Sequence, residues 1–340
     1  MQVLIQDSWD ELLECFGIGQ KDVYFSEAYV RLAAGTGRQA LCAVCTEGSN
    51  VMLMPFLRGE YRTYFDFETP YGYGGPISNT ADAAWNTAAL KELFSSFASL
   101  GYLAGFVRFH PLLNNADMCR GLFPVIDDRR TVAVNTSVSE DEIWTGQLSS
   151  KNRNMIRKAE KHELEFFRDD DFACMDAFKR LYCMTMDRLG ADGFYYFSDG
   201  YYRDFARLFR GKGFIGGIRQ GNEIVSAALF MYEGPFGHYH LAGSSREHAA
   251  KGANNLLLWK TACELHREGV KEFHLGGGTD SSEENSLFCF KKSFSPDTRQ
   301  FSIGKLIFNE AAYNDVCTAW AAENPGKIDT YGRFLLKYRY

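Results

Sequence analysis

The run Leu287–Phe294, LFCFKKSF, sets two lysines among phenylalanines. Phe288, Phe290 and Phe294 anchor such a segment in a core, which places Lys291 against apolar surface, with Lys292 as the neighbour that could stand in its stead. An ammonium held there suits a reaction that gathers negative charge on a carbonyl oxygen, where losing one oxyanion donor costs about a hundredfold or more in rate. The plainer alternative is a solvated pair on a short helix. A second basic group lies in LSSKNRNMIRKAEK, where Lys151, Arg153, Arg157, Lys158 and Lys161 are set against one acid, Glu160. Residues 153, 157 and 161 share a helix face. That face offers charge for phosphates, or is simply solvated. His238 and His240 alternate on one strand and so face the same side. No carboxylate or Cys follows at a ligand spacing, so they read as strand histidines and no metal is expected. Gly276–Gly278 lacks the Lys-Ser/Thr of a phosphate loop and the spacing of a dinucleotide fingerprint. No Gly-x-Ser-x-Gly occurs, which leaves an α/β-hydrolase unsupported.

The elements that must hold these residues follow from period and punctuation. In the first part, short helices at Ser8–Cys15 and after Ser26 precede the strands ALCAVCTE and VMLMPFLRGE, joined at Gly48-Ser49-Asn50. Tyr71 and Tyr73 lie in the glycine-rich PYGYGG run, a turn or the lining of a cleft. Ala83–Leu100 is helical and LAGFVRFHP a strand. A second part begins near Glu140, where Ser139 and Glu142 have capping-box spacing. Helices are expected at LSSKNRNMIRKAEKHEL, Phe172–Leu189 and Ser198–Arg210. GFIGGIR, a Gln220-Gly221-Asn222 turn and EIVSAALFMYEG form a hairpin. The strand HYHLAG leads through a polar loop, SSREHAAKG, into a helix beginning at Asn254. VKEFHLGGG, a short helix, RQFSIGKLIF and a helical tail complete the chain.

The 340 residues fill one large domain or two. A chain 46% hydrophobic and 24% charged is globular, not disordered, collagen-like or a disulfide scaffold. Lys and Arg number 37 against 43 Asp and Glu, a net −6, so nonspecific nucleic-acid binding is a poor fit and a polyanion would need a local basic patch. Aromatic residues, 15% of the chain, suit large cores and an aromatic-lined cleft. The nine cysteines are an odd set. Cys42 and Cys45, three apart on a strand, face opposite sides and read as buried thiols. Free thiols in this number point to a reducing, cytoplasmic location. The start, MQVLIQDSWDELLECFG, is not a signal peptide, and no apolar run reaches the ~18 residues of a membrane span.

The order strand, polar loop, helix, strand, short helix, strand in the last third resembles the GNAT N-acyltransferase fold. YHLAGSSREHAAKGANNLLLWKTACELHREGVKEFHLGGG with LFCFKKSF, and more weakly LSSKNRNMIRKAEK and TPYGYGGP, resemble its FemABX branch and the related BioF2-like acyltransferases. That branch includes enzymes that add amino acids to peptidoglycan precursors, and it carries two GNAT-like units in tandem. The resemblance implies an α/β (α+β) fold with a degenerate N-terminal unit, 1–138, and an intact C-terminal unit, 139–340. It also implies two splayed strands whose gap takes the donor's acyl arm. Lys251, Gly252 and the first turn at Asn254 and Asn255 would then present amides to an anion. Arg153, Arg157 and Lys158 would bind substrate phosphates, Tyr71 and Tyr73 would line the substrate cleft, and His240 or Tyr239 would act as a base. Lys291 falls on the Phe-Lys pair of the branch, which contacts donor and transition state.

Two departures bear on the donor. The usual coenzyme-A signature has Gln or Arg where this chain has Ala249, and a small residue where it has Asn254. Phe290 stands where many coenzyme-A enzymes place a proton-donating Tyr. The expected activity is direct aminoacyl or acyl transfer to an amine of a cell-wall precursor or small molecule, with aminoacyl-tRNA or acyl-coenzyme A as co-substrate and no tightly bound cofactor. The alternatives are an acyl-coenzyme-A-dependent N-acyltransferase and a non-catalytic binding module on the same fold.

Overall fold

The computed structural model describes Met1–Tyr340 and divides the chain into two units. The first joins residues 1–128 to residues 300–340; the second is residues 129–299. The chain opens with β1 (Gln2–Gln6), α1 (Asp10–Leu13), α2 (Glu27–Ala34), β2 (Gln39–Glu47), β3 (Asn50–Tyr61), β4 (Tyr64–Glu68), β5 (Ile77–Ser78), α3 (Ala83–Ser99) and β6 (Tyr102–Arg108). β7 (Val125–Asn135) carries it into the second unit. There follow α4 (Glu140–Glu142), α5 (Ser150–Lys161), β8 (Glu165–Asp169), α6 (Met175–Leu189), α7 (Asp199–Leu208), β9 (Gly213–Gln220), β10 (Glu223–Glu233) and β11 (Phe236–Ser244). Next come α8 (Arg246–Ala250), α9 (Ala253–Arg267), β12 (Glu272–Gly277) and α10 (Ser286–Lys292). β13 (Thr298–Ile307) returns the chain to the first unit, which ends in α11 (Glu310–Glu323) and α12 (Ile328–Tyr331).

The helix starts follow local chemistry. Ser139 and Glu142 form the expected capping box, and Ser26, Ser149, Ser198 and Asn285 each cap a first turn through their side chains. Gly190 ends α6 in the left-handed conformation. Cys42 and Cys45 are buried free thiols on β2, whose apolar run is buried along nearly its whole length.

Each unit is an α/β assembly on one strand plan. In the first, β1, β2, β3 and β4 are joined antiparallel, β4 meets β6 in parallel, and β6 meets β13 antiparallel. In the second, β8, β9, β10 and β11 are joined antiparallel, β11 meets β12 in parallel, and β12 meets β7 antiparallel. The same order and sense occurring twice makes the chain a tandem of GNAT-like units. A crossover helix precedes the parallel partner each time, α3 before β6 and α9 before β12. The cores are separate. Phe56, Phe67, Phe97 and Tyr102 centre the first, and Phe214, Phe230, Leu257 and Phe273 the second.

The division at residue 138 expected from the sequence is corrected to 128/129, and the first unit also takes the C-terminal 300–340. The reason is pairing: β13 ladders with β6 from Ile303↔Arg108 to Ile307↔Ala104, and Tyr313, Val316 and Trp320 of α11 pack on Leu103 and Ala104. The polar loop expected before Asn254 is partly helical, as α8, and α9 starts at Ala253 with Gly252 as its N-cap. β1, β4, β7 and β8 are further strands.

Candidate active site

The second unit is opened by an early end to one ladder. β11 and β12 pair only at Phe236↔Glu272, Gly237↔Phe273 and His238↔His274. Beyond that point both strands continue, each still held on its far edge. β11 stays on β10 to Ser244↔Ser226, and β12 stays on β7 to Gly277↔Thr131. Tyr239–Ser244 and Leu275–Gly277 therefore flank a wedge. A register shift lies on each side of it. One falls at Leu229/Phe230 of β10, opposite Leu241 and Tyr239, and the other at His274/Gly276 of β12. Such bulges twist a strand and re-aim its side chains.

Lys291 reaches into this wedge. It is 8% exposed, at the last turn of α10. Its Nζ donates to the carbonyl oxygen of Gly277 at 2.7 Å and lies 5.9 Å from the centre of the Tyr239 ring. Gly277 is on β12 and Tyr239 on β11, so the ammonium is bonded to one wall and faces an aromatic ring of the other. Burial pushes its pKa down to about 7, since a charge removed from water favours the neutral amine. Burial also raises the Tyr239 phenol above its ordinary value, which keeps it protonated. Lys292, the alternative, sits exposed beside the Phe288 ring, with Nζ 5.6 Å from its centre.

The start of α9 closes one side. Gly252 adopts φ +94°, and a Cβ there would lie 2.4 Å from the Met155 carbonyl oxygen on α5. Its missing side chain serves a helix–helix contact. Asn254 accepts from Ser226 Oγ at 2.7 Å and donates to Ser244 Oγ at 3.2 Å, tying α9 to β10 and β11. Asn255 is buried and donates to Asn152 Oδ1 at 2.8 Å. Lys251 is ion-paired with Glu247 at 2.6 Å. The side chains of both asparagines are thus struts of the scaffold, which leaves the expectation for their backbone amides as it stood.

The basic face of α5 is also put to structural use. Arg153 Nη1 donates to the carbonyls of Leu148 (2.5 Å) and Trp144 (3.1 Å). Trp144 lies within the π-helical turn Ile143–Gln147 and Leu148 is its C-cap. The Arg157 guanidinium lies over the Trp144 ring and bonds Asn154, and Lys158 Nζ donates to the Ala250 carbonyl at 2.9 Å. Arg153 and Lys158 therefore hold backbone carbonyls, while the side chains of Arg157 and Lys158 remain exposed on the basic face.

His240 belongs to another face. Its ring stacks on Phe205 of α7 with centroids 5.7 Å apart, and its Nε2 is 2.6 Å from the Tyr201 hydroxyl. Tyr239 instead packs on Phe230 in the core beneath α9. Burial, and then the neighbouring His238, drive the His240 pKa down to about 3. The low value makes the His240 ring a weak base, and its contacts with Phe205 and Tyr201 place it against α7, whereas the Tyr239 ring lies near Lys291. His238 lies edge-on to His274, whose Nε2 is 2.9 Å from Thr131 Oγ1.

Tyr71 and Tyr73 lie in the first unit. The Tyr29 hydroxyl donates to the Tyr71 carbonyl at 2.6 Å, and the Tyr73 ring packs against Tyr24, His110 and Phe301. His110 Nε2 is 2.6 Å from Asp22 Oδ2. Here the equivalent slot is closed. β4 pairs with β6 from Phe65↔Tyr102 to Glu68↔Phe106, up to its last residue. The ladder is then extended by Thr69 N to Phe106 O (2.9 Å) and Arg108 N to Thr69 Oγ1 (2.8 Å). The first unit is the degenerate one and the second keeps the opening.

Asn152 is the residue that sequence reasoning passed over. It stands four from Leu148 and four from Ile156, on the buried line of α5 rather than its basic face. A polar residue in an apolar stripe was the available signal.

Residues 148–292 match the family model described as an acetyltransferase (GNAT) domain. No curated protein matches the chain by sequence. Among solved structures, the chain is similar to FemX, with a TM-score of 0.71 and 14% identity over 92% of this chain and 99% of that one. It is similar to L-PGS from Bacillus licheniformis at TM-score 0.59 and 15% identity, covering 88% and 91% of the two chains. A tandem GNAT protein from the clavulanic acid biosynthesis pathway superposes at TM-score 0.53 and 8% identity, over 91% and 99%. These likenesses are of fold. No helix is long and apolar enough to cross a membrane.

Proposed function

We propose that this N-acyltransferase, with its GNAT domain at residues 148–292, moves an aminoacyl group from aminoacyl-tRNA directly to an amine of a cell-wall precursor or related small molecule. The observation that carries the reading is the buried Lys291 ammonium set between β11 and β12. In the transfer the acceptor nitrogen attacks the ester carbonyl carbon. The C–N bond forms, the C–O bond to the terminal ribose breaks, and the nitrogen's proton ends on the departing oxygen. Negative charge gathers on the carbonyl oxygen in between. Lys291, already desolvated and held by Gly277, supplies a positive charge without reorganisation. Tyr239 forms the wall beside it. The fold resemblance to FemX supports the aminoacyl reading.

The start of α9 bears on the donor. Gly252 is filled by the backbone of α5, and Phe290 has no proton to give a thiolate. Both fit a donor of which only the acyl end enters the wedge. A second reading, acyl-coenzyme A as donor, has its own support, since GNAT domains generally use it. A cytoplasmic location accompanies either reading.

A transfer assay decides between them. Labelled aminoacyl-tRNA and labelled acyl-coenzyme A are offered to the full chain with a panel of amines, including a peptidoglycan precursor. Label passing from tRNA to an amine is the expected result. Label passing only from acyl-coenzyme A overturns the first reading in favour of the second.

A further inference from the structure

We propose that Asn152 is a positioning residue for Lys291, gripping the end of α10 through the carbonyl of Ser293 and tying it to the first turn of α9; this rests on the oxyanion reading of Lys291. Asn152 is 1% exposed. Its Nδ2 donates to the Ser293 carbonyl at 3.2 Å, and its Oδ1 accepts from Asn255 Nδ2 at 2.8 Å. The same carbonyl accepts the Ser149 amide at 2.8 Å, and Ser149 Oγ caps α5 at the Asn152 amide. Ser293 is the C-cap of α10, and the next amide, Phe294 N, bonds back to the Lys291 carbonyl at 3.0 Å. Three helices therefore meet at one buried amide, two residues of backbone from the lysine.

The surroundings argue that this bridge exists for geometry. Leu148, Ile156, Leu256, Phe288 and Phe294 belong to the apolar core around it. A leucine at 152 would continue the Leu148–Ile156–Ala159 stripe. A satisfied buried hydrogen bond adds only about 1 kcal/mol net, and apolar replacement of a buried polar pair is often neutral. What an amide bridge adds is a single allowed arrangement. Lys291 has a flexible four-carbon arm, and the one hydrogen bond seen at its Nζ is to Gly277. Its reach into the wedge is then set by the placing of α10, and a misplacement of about 1 Å can cost a hundredfold in rate.

The test reads the lysine itself. Side-chain NMR of the full chain, with the Lys291 signal assigned by its absence in Lys291→Arg, follows the amine through pH. In the native chain the midpoint is expected near 7. In Asn152→Ala, and in Asn152→Leu, which keeps the core filled, a loosened α10 admits water and the midpoint rises by about one unit or more. Turnover falls about tenfold or more with KM little changed. That loss disappears when Asn152→Ala is made in a Lys291→Ala background. An unmoved midpoint in both variants, or an equal loss in the Lys291→Ala background, overturns the proposal. Should Lys291→Ala itself turn over normally, the oxyanion reading fails, and the NMR midpoint still decides whether Asn152 places the lysine.

Discussion

Lys291 Nζ donates to the carbonyl of Gly277 at 2.7 Å, joining the end of α10 to the last residue of β12 where that strand has parted from β11. The carbonyl orients the ammonium but brings no neutralising charge, so burial acts alone on its pKa.

The pH dependence of turnover follows. The ammonium is fully present below about pH 7 and is lost as pH rises through that value. The attacking amine gains reactivity in the opposite direction, so a bell is expected with its basic limb near 7. Lys291→Arg, whose charge persists, should carry that limb above about pH 9. Lys291→Ala should lower turnover about a hundredfold or more and erase the limb. Steady-state rates from pH 5.5 to 9.5 check this; an unchanged basic limb in Lys291→Ala would assign it to another group.

Folding stability carries the same signature with its own sign. The folded pKa of about 7 lies below the ordinary 10.5. Between those values the unfolded chain binds more protons, so this group makes stability rise with pH, by up to about 1.4 kcal/mol per unit. Below about pH 7 both states are protonated and its contribution is flat. Lys291→Met lacks the slope. It should be more stable than the native chain at pH 7, with the gap narrowing towards pH 10. Denaturant unfolding of both proteins at pH 7, 8 and 9 gives the difference directly, and a gap constant over that range would show that the lysine is not desolvated.

Much of this architecture was legible in local pattern. Ser139, Ser26 and Ser198 announced helix starts because capping is short-range chemistry. The phenylalanines around Lys291 announced its burial. The hydrogen bonds made by the side chains of Arg153, Lys158, Asn254 and Asn255 were not legible, because the groups that engage them lie on other elements. A basic stripe looks the same in sequence whether it meets phosphate or, as with Arg153, the carbonyls of Trp144 and Leu148. Tyr239 and His240 face opposite sides by strand alternation, but which of them lies beside Lys291 is decided by the elements packed on each face. The reach of the first unit to residue 340 depends on β13 pairing with β6, nearly 200 positions away in sequence.

Gly252 offers a test of the seat of α9. At φ +94° any side chain is strained, and a Cβ would also press to 2.4 Å on the Met155 carbonyl, which is backbone and cannot rotate away. Gly221, at the β9–β10 turn, has φ +57° with nothing within 4 Å of such a Cβ. Gly221→Ala therefore reports conformational strain alone, about 1 kcal/mol. Gly252→Ala adds the cost of moving α9 off α5 and should exceed it by about 1–3 kcal/mol. Because α9 carries Asn254 and Asn255, the same displacement should disturb both struts and depress transfer, whereas Gly221→Ala leaves transfer intact. Denaturant midpoints and transfer rates of the two variants side by side settle the matter. Equal destabilisation would mean that α5 and α9 are free to separate, and that the wedge is not held from this side.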